Sequence, residues 1–174
     1  MILKSKYILV LIALLFSISS CQEDEPVRTN IRGKAILPDS CAQRDFNYIL
    51  VPHNAEFENE YGSGIIDSGG SFTIDQVFIE NYDVYLKPRG ILQKKFSDIE
   101  VLECQNRIVF GPFIPGDLNE DNTVDVDDFS AFSASYGSTV SDPEYNFLSD
   151  FNCDGLIGIT DFSSFSEAFG ENGD

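Results

Sequence analysis

The chain has 174 residues, with 29 Asp and Glu against 11 Lys and Arg, for a formal net charge of −18. Phosphate backbones are gripped by clustered Lys and Arg, so this balance excludes nucleic acid as a partner. The length suffices for one medium or two small domains.

The chain opens with Lys4 and Lys6, an apolar run from Ile8 to Phe16, and Ser17, Ser19 and Ser20 before Cys21. The run is too short to span a bilayer and has the layout of a signal peptide over residues 1–20. Ile18-Ser19-Ser20-Cys21 resembles the lipobox of bacterial lipoproteins. That resemblance implies a mature chain that begins at a lipidated Cys21 and is anchored to a membrane through its lipid. Residues 21–28 read as a solvated tether, with the acidic cluster Gln22-Glu23-Asp24-Glu25 ahead of Pro26. The cluster resembles an export signal of Gram-negative lipoproteins, which implies an outer-membrane protein displayed at the cell surface. A periplasm-facing anchor is the alternative.

Residues 29–113 read as strands. β-formers cluster or alternate over Ile31–Leu37, Asn47–Val51, Ser71–Ile74, Tyr82–Leu86, Ile99–Leu102 and Arg107–Phe113,. Pro38-Asp39, Ser68-Gly69-Gly70 and Pro88-Arg89-Gly90 mark turns between them,. The expectation is a small antiparallel β-sandwich. Gly33 to Leu37, Asp67 to Ile74 and Tyr82 to Leu86 together resemble the carboxypeptidase-regulatory-like, transthyretin-like sandwiches. Export permits disulfides. Cys41 and Cys104 both fall in this region and are the candidate pair, with two buried free thiols as the alternative and Cys153 left over. Two prolines and two glycines within 111–116 cannot continue a central strand, so a second domain is expected over 116–171,.

That second region repeats itself. Asp117-Leu118-Asn119-Glu120-Asp121-Asn122-Thr123-Val124-Asp125-Val126-Asp127-Asp128 returns 33 residues on as Asp150-Phe151-Asn152-Cys153-Asp154-Gly155-Leu156-Ile157-Gly158-Ile159-Thr160-Asp161. Oxygen-bearing side chains recur at loop positions 1, 3, 5 and 12, the spacing by which a tight loop surrounds a hard cation that takes six to eight oxygens. Expected ligands of two calcium ions are Asp117, Asn119, Asp121, Thr123, Asp125 and Asp128, then Asp150, Asn152, Asp154, Leu156 and Asp161. Thr123 and Leu156 would serve through their backbone carbonyls. Val124 and Ile157, at position 8, are expected to pair between the loops.

Each loop runs into an apolar helical stripe, Phe129, Phe132 and Tyr136 or Phe162, Phe165 and Phe169,. Asp142-Pro143 can start a short helix before the second loop. Asp at position 12 and a Pro-rich approach in place of an entering helix resemble the F-hand of type I dockerin domains. The resemblance covers Gly116 to Gly170. It implies an α-helical pair of calcium loop-helix motifs and a protein partner of the cohesin kind. Positions 10 and 11 depart from the hydroxyl pair that cellulosomal dockerins use: they are Val126-Asp127 and Ile159-Thr160.

His53, the single histidine, has no Ser or Cys nucleophile in a recognisable frame, and no P-loop, dinucleotide turn or zinc spacing occurs. The expected function is therefore non-catalytic: a surface lipoprotein with a calcium-stabilised interaction module. Alternatives are a cohesin-docking component of polysaccharide-degrading machinery and a glycan-binding accessory protein.

Overall fold

The computed structural model describes residues 27–38, 43–104 and 106–174. The signal segment, Cys21, nearly all of the tether and Cys41 lie outside them, so the expectations placed there concern residues beyond the described part.

Seven strands form two sheets: β1 (Arg28–Ala35), β2 (Arg44–Pro52), β3 (Glu60–Ile66), β4 (Ser71–Phe78), β5 (Asn81–Pro88), β6 (Lys94–Glu100) and β7 (Arg107–Phe110). One sheet has the order β4-β1-β7 and the other β3-β2-β5-β6. β1 alternates, turning Ile31, Gly33 and Ala35 inward and Arg32 and Lys34 outward. The inner faces meet through aromatics, with Phe46 4.8 Å from Phe72 and Phe96 edge-on to Phe110 at 4.9 Å. Rings in such tilted and edge-on pairs contribute beyond the apolar area they bury. A two-sheet sandwich is thus present. It is not antiparallel throughout, because the chain crosses from β6 to the other sheet and lays β7 parallel to β1.

Two strands depart from expectation. β3 has no apolar alternation of its own, because Gly62 and Gly64 interrupt it. Their bare backbone seats rings of the neighbouring strand: a Cβ on Gly62 would lie 2.3 Å from the Tyr48 ring system, and one on Gly64 2.6 Å from Phe46. β6 begins at Lys94, ahead of the expected Ile99, since Phe96 supplies its inward anchor.

Two ten-residue helices follow, α1 (Val126–Ser135) and α2 (Ile159–Ala168). The helix expected from Asp142 is absent. The Asp142 carboxylate instead accepts the Thr139 amide at 2.8 Å and closes a turn, and only a short 3-10 turn forms at Phe147–Ser149. The helices enclose a second core of Val124, Phe132, Phe151, Ile157, Phe165 and Ala168. Leu92, from the sandwich, completes it. The β5–β6 connection is bonded to this unit: Leu92 N–H donates to the Ile114 carbonyl at 2.9 Å, and Asp174 N–H to the Gln93 carbonyl at 3.1 Å.

The cysteine expectation is overturned. Cys104 is an exposed free thiol and Cys153 is disulfide-bonded, so Cys41 and Cys104 are not bridged. Sequence separation favoured two cysteines of one sandwich, but Cys153 of the second loop, left over by that reading, is the one that is bridged.

Candidate metal loops and an aromatic groove

The two acidic loops carry the same hydrogen bonds at the same positions. In the first, Asn122 N–H donates to Asp117 Oδ2 at 3.0 Å, Asp121 N–H to Asn119 Oδ1 at 2.9 Å and Thr123 N–H to Asp121 Oδ1 at 3.0 Å. In the second, Gly155 N–H donates to Asp150 Oδ2 at 3.0 Å, Asp154 N–H to Asn152 Oδ1 at 2.9 Å and Leu156 N–H to Asp154 Oδ1 at 2.9 Å. These side-chain turns follow from the residue types, because short Asp and Asn side chains reach amides a few residues on. Position 6 takes a left-handed conformation in both, φ +72° at Asn122 and +83° at Gly155. Asn and Gly tolerate that region best.

The position-12 carboxylates close the loops. Asp128 Oδ1 accepts the amides of Leu118 and Asn119 at 2.7 and 3.0 Å, and its Oδ2 accepts the amide of Asp125, the N-cap of α1, at 2.9 Å. Asp161 repeats this with Phe151, Asn152 and Gly158. Asp125 also caps α1 through its own side chain, which the glycine at 158 cannot do. Burial pushes the Asp128 carboxyl above the ordinary carboxylate range, against the pull of its three amides.

The fit to a hard cation has two sides. Asp117 and Asp150, at position 1, are 0% and 2% exposed, and in each Oδ1 has no hydrogen-bond partner. A buried, unpaired carboxylate oxygen is costly unless something positive meets it. Against this, no three acidic, histidine or cysteine side chains among the described residues are gathered as a ready metal cluster. The donor set and the two orphaned oxygens fit calcium, while the remaining carboxylates are turned onto loop amides.

The unit has internal twofold character. Val124 N–H donates to Glu171 O at 3.0 Å and Gly170 N–H to Val124 O at 2.8 Å; Ile157 N–H donates to Ser138 O at 3.0 Å and Gly137 N–H to Ile157 O at 2.8 Å. Shifting by 33 residues exchanges the two sets. The expected pairing of Val124 with Ile157 therefore does not occur: each position-8 residue bonds to the chain leaving the other loop's helix.

The helical aromatics divide into two groups. Phe132 and Phe165 are buried and stack at 5.3 Å. Phe129, Tyr136, Phe162 and Phe169 remain 40, 50, 38 and 53% exposed. Between α1 and α2 they leave an open groove of about 360 Å³, lined by Phe129, Phe132, Ser133, Tyr136, Ile159 and Phe162. Val126 and Ile159, both at loop position 10, are 62% and 71% exposed, and Ile159 lines the groove. The sequence singled these two out only as departures from a hydroxyl pair; their exposure is a result of the fold. His53 lies outside this region; its Nε2 sits 3.1 Å from Asp83 Oδ1 at the sandwich surface.

No protein-family model and no curated protein matches the chain. Solved structures do. Two are an N-terminal and a C-terminal interface mutant of a type II Cohesin-X-Dockerin complex from Acetivibrio cellulolyticus, each with TM-score 0.60, covering 83% of this chain and 97% of theirs, at 18% and 19% identity. At such identity the likeness shows the fold alone. It overturns the family resemblances drawn from sequence. The matched complex is type II, not type I. The regular structure of the described residues is mostly strand with two helices, so a helical type I dockerin domain is not shown. The carboxypeptidase-regulatory-like assignment likewise finds no matching family model. Tight acidic loops and alternating strands are local patterns that many folds share, which is why they misled at the level of family.

Proposed function

We propose that this chain is a non-catalytic component of a polysaccharide-degrading assembly and binds a protein partner, as cohesin and dockerin chains bind one another. The observation that carries this reading is the groove between α1 and α2. Contiguous exposed apolar surface marks interaction sites on soluble proteins, and buried aromatics dominate interface energy. The fold likeness to chains of a Cohesin-X-Dockerin complex supports the choice of a protein over a small ligand. We further read the paired loops as two calcium sites that hold the groove's helices in place, since each loop ends on the cap of one helix. Cys21 and the export segment would tether the chain to the outer membrane, at the cell surface.

Calorimetry against purified cohesin-type and dockerin-type domains, with calcium and with chelator, tests the reading. Binding by one class is expected, weakened by Ile159→Asp and by Phe162→Ser. Binding unchanged by both substitutions, or no binding to any domain, would overturn it.

A further inference from the structure

The two loops match in nearly every bond, and the difference lies at position 1. In both, Oδ2 of the first aspartate accepts the position-6 amide, and a donor from outside the loop reaches the same oxygen. For Asp150 that donor is the neutral phenol of Tyr145, at 2.6 Å. For Asp117 it is the ammonium of Lys87, from the sandwich strand β5. Lys87 Nζ also donates to the Ile91 carbonyl at 2.6 Å and lies 3.7 Å from Glu120 Oε2, and its side chain is only 12% exposed.

We propose that Lys87 is a built-in counter-cation for the first loop. It makes the two loops unequal: the first keeps its shape and its seat on the sandwich without metal, while the described donor at the matching oxygen of the second is the neutral phenol of Tyr145. This inference rests on the calcium reading of the loops.

The charges support it. The first loop gathers Asp117, Glu120, Asp121, Asp125, Asp127 and Asp128, whereas the second has only Asp150, Asp154 and Asp161, with Gly158 where the first has Asp125. Lys87, beside Asp117 and Glu120, offsets part of that excess. Loop 1 is bonded to the sandwich through its own side chains. Glu120 Oε1 accepts the Gly90 amide and Asn122 Oδ1 the Gln93 amide, both at 2.7 Å. The Lys87 ammonium reaches the same loop from the same side, so whatever holds Asp117 in place also holds this junction. A divalent ion entering loop 1 is repelled by that ammonium, and a unit charge a few ångströms away acts strongly at the low effective dielectric of a partly buried site. Removing the charge should therefore tighten the first site while weakening the empty loop.

Amide NMR of the full chain separates these effects, with Asn122 reporting loop 1 and Gly155 loop 2. In chelator, wild type should keep the Asn122 amide protected from exchange while Gly155 exchanges. Lys87→Gln should lose protection at Asn122 and bind calcium at loop 1 on the order of tenfold more tightly, and Lys87→Arg should restore the wild-type pattern. A wild type that binds two ions, with neither protection nor loop 1 affinity changed in Lys87→Gln, overturns the proposal. A wild type that binds no calcium sinks the calcium reading instead; the counter-cation role is then still decided by Asn122 protection in Lys87→Gln.

Discussion

Asp128 reaches back ten residues to accept the amide of Leu118 at 2.7 Å, so the last residue of the first loop fastens its beginning. The same carboxylate takes two further amides and sits fully buried. One side chain therefore closes the loop and starts α1.

Removing it should be costly. Asp128→Ala removes the acceptor of three partly buried amides, and a buried unsatisfied group typically costs about 1–3 kcal/mol,. Asp125→Ala removes mainly a helix cap, worth about 1 kcal/mol. Urea titration should rank Asp128→Ala as several-fold more destabilising than Asp125→Ala, with Asp161→Ala like Asp128→Ala. Calorimetric calcium titration should give the same ranking, and equal losses for all three would show that the closing role is misassigned.

Phe132 ties the two halves of the second core together, stacking on Phe165 at 5.3 Å and lying parallel to Phe151 at 6.2 Å. Truncation of a buried Phe costs about 3–5 kcal/mol. Phe132→Ala should raise hydrogen exchange at Gly155 and Leu156 as well as in loop 1, although loop 2 keeps all of its own side chains. Exchange confined to the first loop would mean that the two loops fold separately.

Thiol chemistry should distinguish the cysteines. Under non-reducing conditions alkylation should label Cys104, which is exposed and free, and leave Cys153 unlabelled until a reductant is added. Mass spectrometry of the labelled peptides reads this directly, and labelling of Cys153 without reductant is the contrary result.

Asp83 gives a pH prediction at the sandwich surface. Hydrogen bonds from Lys95, then from His53, hold its carboxyl well below the ordinary value of 3.8. A depressed folded-state pKa contributes stability that is fully present above the unfolded value and is lost as pH falls through the folded one. The contribution should thus persist at neutral pH and fade only in acid, below about 3.8. A carboxyl-carbon NMR titration should find Asp83 ionised where exposed aspartates are half protonated. Lys95→Met should return it toward the ordinary value.

Both acidic loops were legible in the chain because their bonds are short-range. Asn119 to Asp121 and Asp121 to Thr123 span two residues, so residue type and spacing alone dictate the turns. Strands with their own alternation, such as β1 and β5, were readable for the same reason. β3 was not, since its apolar surface belongs to Tyr48 and Phe46 on the neighbouring strand and not to Gly62 and Gly64.

By itself, then, the sequence determined the acidic balance, the turn-forming loops and the alternating strands, all of which arise from side chains acting on their own backbone. Only the tertiary structure decided that β7 runs parallel to β1, that Cys104 stays free, that Phe129 and Ile159 line an open groove, and that Lys87 meets Asp117 across 30 residues of chain. Those relations depend on which surfaces come together when two cores bury their apolar area, and no periodicity within either segment records the neighbour it will meet.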